Sequence, residues 1–394
     1  MAKKREPVST IPDLDLSNSI IEAINTTFKA SAGNEAHYLS DPNVGSDVKF
    51  WIPTGCTPLD FAISNRAHGG WPVGRIAELV GWEASGKSLL AAYALANTQK
   101  LGGIAVYIDT ESAVSAEYLK TIGVDIDRLL YVQLEALEDI FQCIEVTIEK
   151  VRTSDKNKLV TIVVDSVMGA TTLKELEADW GKDGYATEKA IVLSKAMRKI
   201  TGMISKQNIC LIFTNQLRQK LGVMFGENST TSGGKALAFH SSVRVKLESI
   251  GKIKFKEDDS VIGIKTKAKV IKNRIGPPQR VVEYDIYFNS GIDDYGSWLT
   301  ILKDKNLVKS GGGFHTIKFN ESLTIVKPDT AEVEQMSELK FQTKDFENLI
   351  KMNKVFKDYI YSLLSKHLVL EYKINEDFTM DEVTMDKVAD GEEV

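Results

Sequence analysis

The chain has 394 residues, 43% of them apolar, and a formal net charge of −5, which is room for two or three folding units around a large core. It lacks the run of about 18 apolar residues that a membrane span needs, and Met1-Ala-Lys-Lys-Arg5 leads into polar residues rather than a signal-peptide core, so a cytoplasmic location is expected. Cys56, Cys143 and Cys210 are widely spaced, and with the scattered histidines they offer neither a disulfide framework nor a zinc pattern.

Residues 17–30 read as a helix, with Ser19 and Glu22 at capping-box spacing and Ile20, Ile21, Ile24 and Phe28 forming one apolar stripe. A Gly/Asn/Asp/Ser stretch follows to Asp47. A short helix ahead of such a linker cannot bury its stripe alone, so it docks on its own core or on another subunit. From Trp51 apolar strands alternate with helical segments: 75–80, 104–109, 129–133, 159–165 and 209–214. This predicts an α/β fold with a mostly parallel sheet covered on both faces. Residues 246–274 carry Lys252, Lys254, Lys256, Lys265, Lys267, Lys269 and Lys272, either a polyanion-binding surface or a solvated strand face. Pro277-Pro278 and the alternation over 281–287 predict antiparallel strands closing the sheet. Past Trp298 the composition shifts, Gly311-Gly-Gly313 breaks the chain, and Phe346, Leu349, Ile350, Phe356 and Ile360 predict a small helical unit. The end carries Glu376, Asp377, Asp381, Glu382, Asp386, Asp390, Glu392 and Glu393 against Lys387, so a basic body is hidden under a mildly acidic total. The expected division is an N-terminal oligomerisation helix and linker (1–50), an α/β core (51–300), a small C-terminal domain (301–373) and an acidic disordered tail (374–394).

GWEASGKS at 81–88, between an apolar strand and an Ala/Leu helix, completes GxxxxGK[ST]. Gly81 and Gly86 let the backbone curl so that the N–H groups from Trp82, Glu83, Ala84 and Ser85 onward converge on anionic oxygens. Lys87 adds a charge at the β/γ-phosphates, and the Ser88 hydroxyl is placed to ligate Mg²⁺. LVTIVVDS at 159–166 is an apolar strand ending in a carboxylate. With the phosphate loop present, Asp165 is better read as orienting that metal than as a helix cap. Asp109-Thr-Glu111 ends a third strand, and Glu111 is placed to orient or deprotonate the attacking water, an exposed loop acid being the alternative. Gln216 follows another apolar strand and adjoins a polar, glycine-containing segment, where a neutral two-headed amide can sense the γ-phosphate and move the loop. Arg218, Lys220 and Lys235 add charge there, and Gly233 and Gly234 expose backbone N–H groups to phosphates. Leu221, Met224 and Phe225 are either small-core anchors or wedges between bases.

With these residues in view, the chain resembles the bacterial strand-exchange recombinase family, RecA, whose phage-encoded relatives include UvsX. The resemblance runs from about Trp51 to Gly313 and rests on six motifs in order: 81–88, VYIDTE at 106–111, IVVDSV at 162–167, SKAMRK at 194–199, Asn215-Gln216 with GVMFG at 222–226 and TSGG at 231–234, and KVIKNR at 269–274. The resemblance implies that Glu111 is the catalytic base, Gln216 the γ-phosphate sensor and Tyr118 the aromatic stacked on adenine. It implies that Lys272 and Arg274 reach ATP across the subunit boundary, that residues 175–188 and 217–235 are the first and second DNA loops, and that Ser194, Arg198, Gly233 and Gly234 contact the nucleic-acid backbone. Phe239 matches an interface aromatic, and the N-terminal helix resembles the arm that docks on the next protomer. Departures are Ile191 in place of an arginine, Tyr185-Ala186 near the base-wedging methionine position, and Lys235 in place of an asparagine. Tyr185 retains a stacking surface.

The expected function is therefore an ATP- and Mg²⁺-dependent DNA recombinase that polymerises on single-stranded DNA, pairs it with homologous duplex and exchanges strands. Single-strand-binding and mediator proteins are further expected partners, and no membrane is. A hexameric DNA helicase with the same core, or a non-catalytic recombinase regulator, are the alternatives.

Overall fold

A computed structural model of the chain describes residues 14–27, 36–38, 40, 47–112, 114–178, 185–205, 207–219, 229–231, 235–326 and 332–372. After α1 (Leu14–Thr27), the short strands β1 (Trp51–Ile52) and β2 (Trp71–Pro72) pair across α2 (Thr57–Ser64). The core continues as β3 (Ile76–Gly81), α3 (Lys87–Lys100), β4 (Ile104–Asp109), α4 (Ala116–Ile122), β5 (Leu129–Gln133), α5 (Leu137–Ser154) and β6 (Val160–Asp165). Next come α6 (Leu173–Leu176), α7 (Tyr185–Ile204), β7 (Ile209–Gln219), β8 (Ser229–Thr231), α8 (Ala236–His240), β9 (Val243–Lys254), β10 (Val261–Asn273), β11 (Val281–Tyr287), β12 (Gly291–Ile292) and α9 (Asp294–Asp304).

Ten strands form one sheet in the order β12-β11-β10-β9-β3-β7-β6-β4-β5, with β8 against β7. From β9 to β5 every pairing is parallel, and β10, β11 and β12 close the other edge antiparallel. The α/β expectation holds, and its cause is visible in β3, buried at every position, and β6, buried at all but Asp165. Strands covered on both faces are near-continuous apolar runs. One face packs on α2, α3 and α4, the other on α5, α7 and α8. Ala91, Ala92, Ala94 and Ala96 keep α3 thin, and it is buried almost all round. That places the helix following the phosphate loop deep in the core.

The helix expected over 17–30 begins at Leu14, so Ser19 and Glu22 fall inside it and make no capping box. Of the expected stripe, Ile20 and Ile24 are exposed, Ile21 is half-buried and Phe28 lies outside the described residues, while Leu16 is exposed one turn earlier. Past α9 the sequence reading omitted a sheet: β13 (Lys309–Gly311), β14 (Phe314–Val326) and β15 (Val333–Gln342) form a three-stranded antiparallel layer beside α10 (Phe346–Met352) and α11 (Lys354–Leu368). Its alternating strands bury Ile317, Phe319, Ile325, Leu339 and Phe341 against Phe346, Phe356 and Ile360. Phe61 of α2 and Trp298 of α9 belong to the same cluster, so this unit is rooted in the core.

Candidate active site

The carboxyl ends of the parallel strands collect the predicted chemistry. Asp109 of β4 stands opposite Asp165 of β6, and Gly81 of β3 opposite Gln216 of β7. In open α/β sheets this end of the strands is where ligands bind.

The loop after β3 is shaped for an anion. A Cβ at Gly81 would lie 2.6 Å from both the Leu247 carbonyl and Ser85 Oγ, so only glycine fits, and Gly86 has φ 91°. Ala84 also sits in the left-handed region, at φ 53°. Ser85 Oγ and Lys87 Nζ both donate to the Trp82 carbonyl, at 2.8 and 2.7 Å, which holds the turn closed. Burial lowers the Lys87 pKa, and the carboxylates of Asp165, Glu111 and Glu83 oppose that shift. A cradle ringed by acids but built around one buried lysine is matched to a polyanion that arrives with a cation.

Two side chains absent from the sequence reading orient Asp165. Tyr107 OH donates to its Oδ2 at 2.7 Å, and Thr214 Oγ1 donates to its Oδ1. Burial and the nearby Asp165 push the Tyr107 phenol up, so it stays a donor. Both are polar residues inside apolar strands, and that was the available signal. Asp109 organises the turn that presents Glu111: its Oδ1 accepts from the Glu111 and Ser112 N–H groups at 2.9 and 3.0 Å, and Tyr131 OH donates to Oδ2 at 2.9 Å. Ser166, also unassigned by sequence, donates from Oγ to Glu111 Oε1 at 2.6 Å. Thr110 Oγ1 stitches the two strand ends together, accepting from Ser166 N–H at 2.9 Å and donating to the Ser166 carbonyl at 2.8 Å. Glu111 is thus held through one oxygen and is exposed on the other side.

Ser88, Tyr107, Asp109, Glu111, Ser115, Tyr118 and Asp165 line one open cleft of about 200 Å³. Tyr118 enters it from the first turn of α4, whose start is capped by Ser115 Oγ accepting from the Tyr118 N–H at 3.3 Å.

Lys272, Arg274 and Phe239 form a second group, away from this cleft. Lys272 pairs with Arg244, which is level with Glu78 in β3, and Arg274 N–H bonds the Ser242 carbonyl, level with Ile76. At about 3.3 Å per residue the backbones of Lys272 and Arg274 are offset by roughly 10 and 16 Å from the phosphate loop, toward the amino ends of the parallel strands. Lys272 Nζ donates to the Ala238 and Phe239 carbonyls at 2.7 Å each, and both cations lie over the Phe239 ring, at 5.9 and 5.7 Å. Phe239 is 65% exposed. Burial together with Arg274 and Arg244 pushes the Lys272 pKa down to about 8. Burial and the cations Arg274, Arg198 and Lys272 also hold His240 below its usual range.

Of the predicted DNA contacts, Arg198, Arg218 and Lys235 are exposed, and Ser194 Oγ donates to the Ala190 carbonyl at 2.7 Å. The second loop leaves the sheet as a two-stranded ladder in which Arg218 pairs with Thr230. Leu221, Met224, Phe225, Gly233, Gly234, the side chain of Tyr185 and the acidic tail lie outside the described residues.

The donor set fits a magnesium nucleotide. Among the described residues no group of three or more His, Cys, Asp or Glu could hold a metal. Mg²⁺ bound by substrate phosphates needs only one or two protein oxygens, such as those of Ser88 and Asp165. A glycine-built phosphate loop on a doubly wound sheet, with acids at the neighbouring strand ends, defines a P-loop ATPase. The family described as RecA N-terminal domain matches residues 19–293, and the chain belongs to the RecA family. Among its relatives, Protein RecA of Geobacter metallireducens is 43% identical over 264 residues, covering 67% of this chain and 74% of the relative. Protein RecA of Heliobacterium modesticaldum is 37% identical over 297 residues (75% and 82%) and that of Clostridioides difficile 42% over 265 (67% and 73%). The activity is DNA-dependent ATP hydrolysis with Mg²⁺ in recombination and repair. Among the described residues no helix is long and apolar enough to cross a membrane.

Proposed function

We propose that the chain works as a helical filament on single-stranded DNA in which ATP is sandwiched between protomers, and that it pairs this strand with homologous duplex and exchanges strands. The observation that carries this is the placement of Lys272 and Arg274, too far from their own phosphate loop to serve it and grouped with the exposed Phe239. A neighbour's phosphates satisfy them, and hydrolysis then depends on assembly. In this reading Lys87 and the loop N–H groups bind the β/γ-phosphates, and Mg²⁺ when bound neutralises charge on the same oxygens. Glu111, fixed through Ser166, takes the proton of the attacking water. Gln216 senses the γ-phosphate and Tyr118 stacks on the base. Ser194, Arg198, Gly233 and Gly234 contact the nucleic-acid backbone, and Arg218 and Lys235 add charge toward its phosphates. The exposed stripe of α1 supports a docking arm within 1–50, followed by the core (51–300), the small domain (301–373) and the acidic tail. Work in the cytoplasm alongside single-strand-binding and mediator proteins belongs to the same reading.

The deciding experiment is joint-molecule formation between a single strand and duplex. Homology-dependent product with ATP and Mg²⁺, and none with ADP, is expected. Closed rings that unwind duplex without forming joint molecules would replace this function with that of a hexameric helicase.

A further inference from the structure

Lys189, in the second turn of α7, is a half-buried cation that the assigned machinery does not use. Its Nζ donates to the Met168 carbonyl at 3.1 Å and to the Ala170 carbonyl. These flank Gly169, whose N–H donates to Ser166 Oγ at 3.3 Å. Gly169 also packs directly on the catalytic strand end: a Cβ there would stand 2.6 Å from Thr110 Oγ1 and 2.8 Å from Glu111 Cγ. Ser166 Oγ in turn holds Glu111 Oε1. One ammonium therefore fixes the backbone on both sides of the residue that props the carboxylate. Its other end belongs to the helix that carries Ser194 and Arg198, just after the first DNA loop. Arg218, at the root of the second loop, lowers the Lys189 pKa and Glu175 opposes it, burial being the largest cause of the shift. Lys189 thus grips the turn that packs on the catalytic strand end, with Glu175 and Arg218 within its electrostatic reach.

We infer that Lys189 is a positioning residue that couples DNA contact at α7 to Glu111, by clamping the 168–170 turn against the carboxylate and its Ser166 partner. A shift of α7 or a phosphate settling near Arg218 changes the pull of this ammonium on the turn, and the turn sets how Glu111 is presented to water. A charge-assisted hydrogen bond to a carbonyl is strong enough to carry such a signal when partly desolvated. The proposal rests on Glu111 being the base.

The test compares wild type, Lys189→Met, Lys189→Arg and Glu111→Gln as full-length proteins, with ATP hydrolysis measured without DNA and with saturating poly-dT. Lys189→Met keeps stem length and loses the donors. It is expected to cut poly-dT-stimulated kcat at least about tenfold, a larger factor than any loss of DNA-free turnover, and to leave the KM for ATP and poly-dT affinity within about threefold. Lys189→Arg keeps donors and is expected to recover most of the stimulation, which a loss of packing alone would not predict. Lys189→Gln, a neutral donor, serves where the methionine variant does not fold, and is expected to keep partial stimulation. Full stimulation in Lys189→Met, or in Lys189→Gln where that variant stands in, overturns the inference, as does a loss that follows poly-dT affinity in proportion. Stimulated hydrolysis surviving in Glu111→Gln sinks the assignment of the base instead, which separates the two failures.

Discussion

Gly81 and Gln216 are register partners on neighbouring parallel strands, so the first residue of the phosphate loop and the root of the proposed second DNA loop share one step of the sheet. From Gln216, β7 runs on through Arg218 into the ladder with β8. Under the proposed sensor role of Gln216, a change at the γ-phosphate would reach the proposed DNA loop along three residues of one strand. Gln216→Ala is expected to bind ATP within about threefold of wild type while losing most of the difference in single-strand affinity between ATP and ADP. Fluorescence anisotropy with a labelled oligonucleotide checks it, and an unchanged ratio of affinities would remove the sensor role.

Tyr107 exists in β4 as a buried tyrosine for the sake of Asp165. Partners that orient a metal-associated carboxylate are typically worth 10- to 100-fold in metal affinity or activity. Tyr107→Phe is therefore expected to lower kcat for ATP by about tenfold and to raise the Mg²⁺ concentration needed for half-maximal turnover, whereas Lys87→Ala abolishes turnover. A magnesium titration of hydrolysis separates the two. Unchanged magnesium dependence in Tyr107→Phe would mean that Asp165 has no part in holding the ion.

Glu78 is fully buried in the middle of the sheet. Its oxygens accept from Asn215 Nδ2 at 3.1 Å and from Arg244 Nε. Removing one member of a buried pair leaves an uncompensated charge and costs about 3–5 kcal/mol. Arg244→Met is expected to lose stability on that scale by denaturant unfolding, and Glu78→Gln with Arg244→Met to recover part of it. A double variant less stable than the single one would show that the pair is not the source.

That network also marks the limit of what the chain reveals on reading. The parallel strands were legible because 104–109 and 129–133 are runs whose lengths match strands, the antiparallel edge because 281–287 alternates, and the phosphate loop because its spacing is fixed by local geometry. Glu78 and Arg244 are 166 residues apart, and nothing local announces that they meet. The same holds for Tyr107 with Asp165 and Ser166 with Glu111: the acids were found by their place at strand ends, and their partners only by register between strands. The β13–β15 sheet was missed because the alternation in 314–326 uses a buried histidine, His315, and is interrupted at the exposed Asn320-Glu321-Ser322, where the pairing register shifts.

Asp294 ties the start of α9 to the start of α2. It accepts from Thr57 N–H at 2.6 Å, Thr57 Oγ1 at 2.7 Å and Trp298 Nε1 at 3.2 Å. Burial nonetheless pushes its pKa up from 3.8 to about 6. A raised carboxyl pKa means that the folded chain binds the extra proton, so this residue's contribution is fully present below about pH 4 and is lost as pH rises through 6. The span of about two pH units corresponds to about 3 kcal/mol. Asp294→Asn, which never ionises, is expected to gain on wild type by up to that amount between pH 4 and 7. Parallel unfolding curves at the two pH values would show that Asp294 ionises freely.

The strongest test of the seam uses two broken proteins. Glu111→Gln lacks the base but keeps Lys272 and Arg274 for its neighbour, whereas Arg274→Ala keeps the base and fails its neighbour. Each alone is expected to be nearly inactive as a DNA-stimulated ATPase. In an equal mixture that assembles at random, one seam in four joins an intact base to an intact trans cation. Hydrolysis is then expected to rise to about a quarter of the wild-type rate. A site completed within one protomer predicts no recovery at any ratio, and in that case Lys272 and Arg274 serve only as a surface for the Phe239 ring.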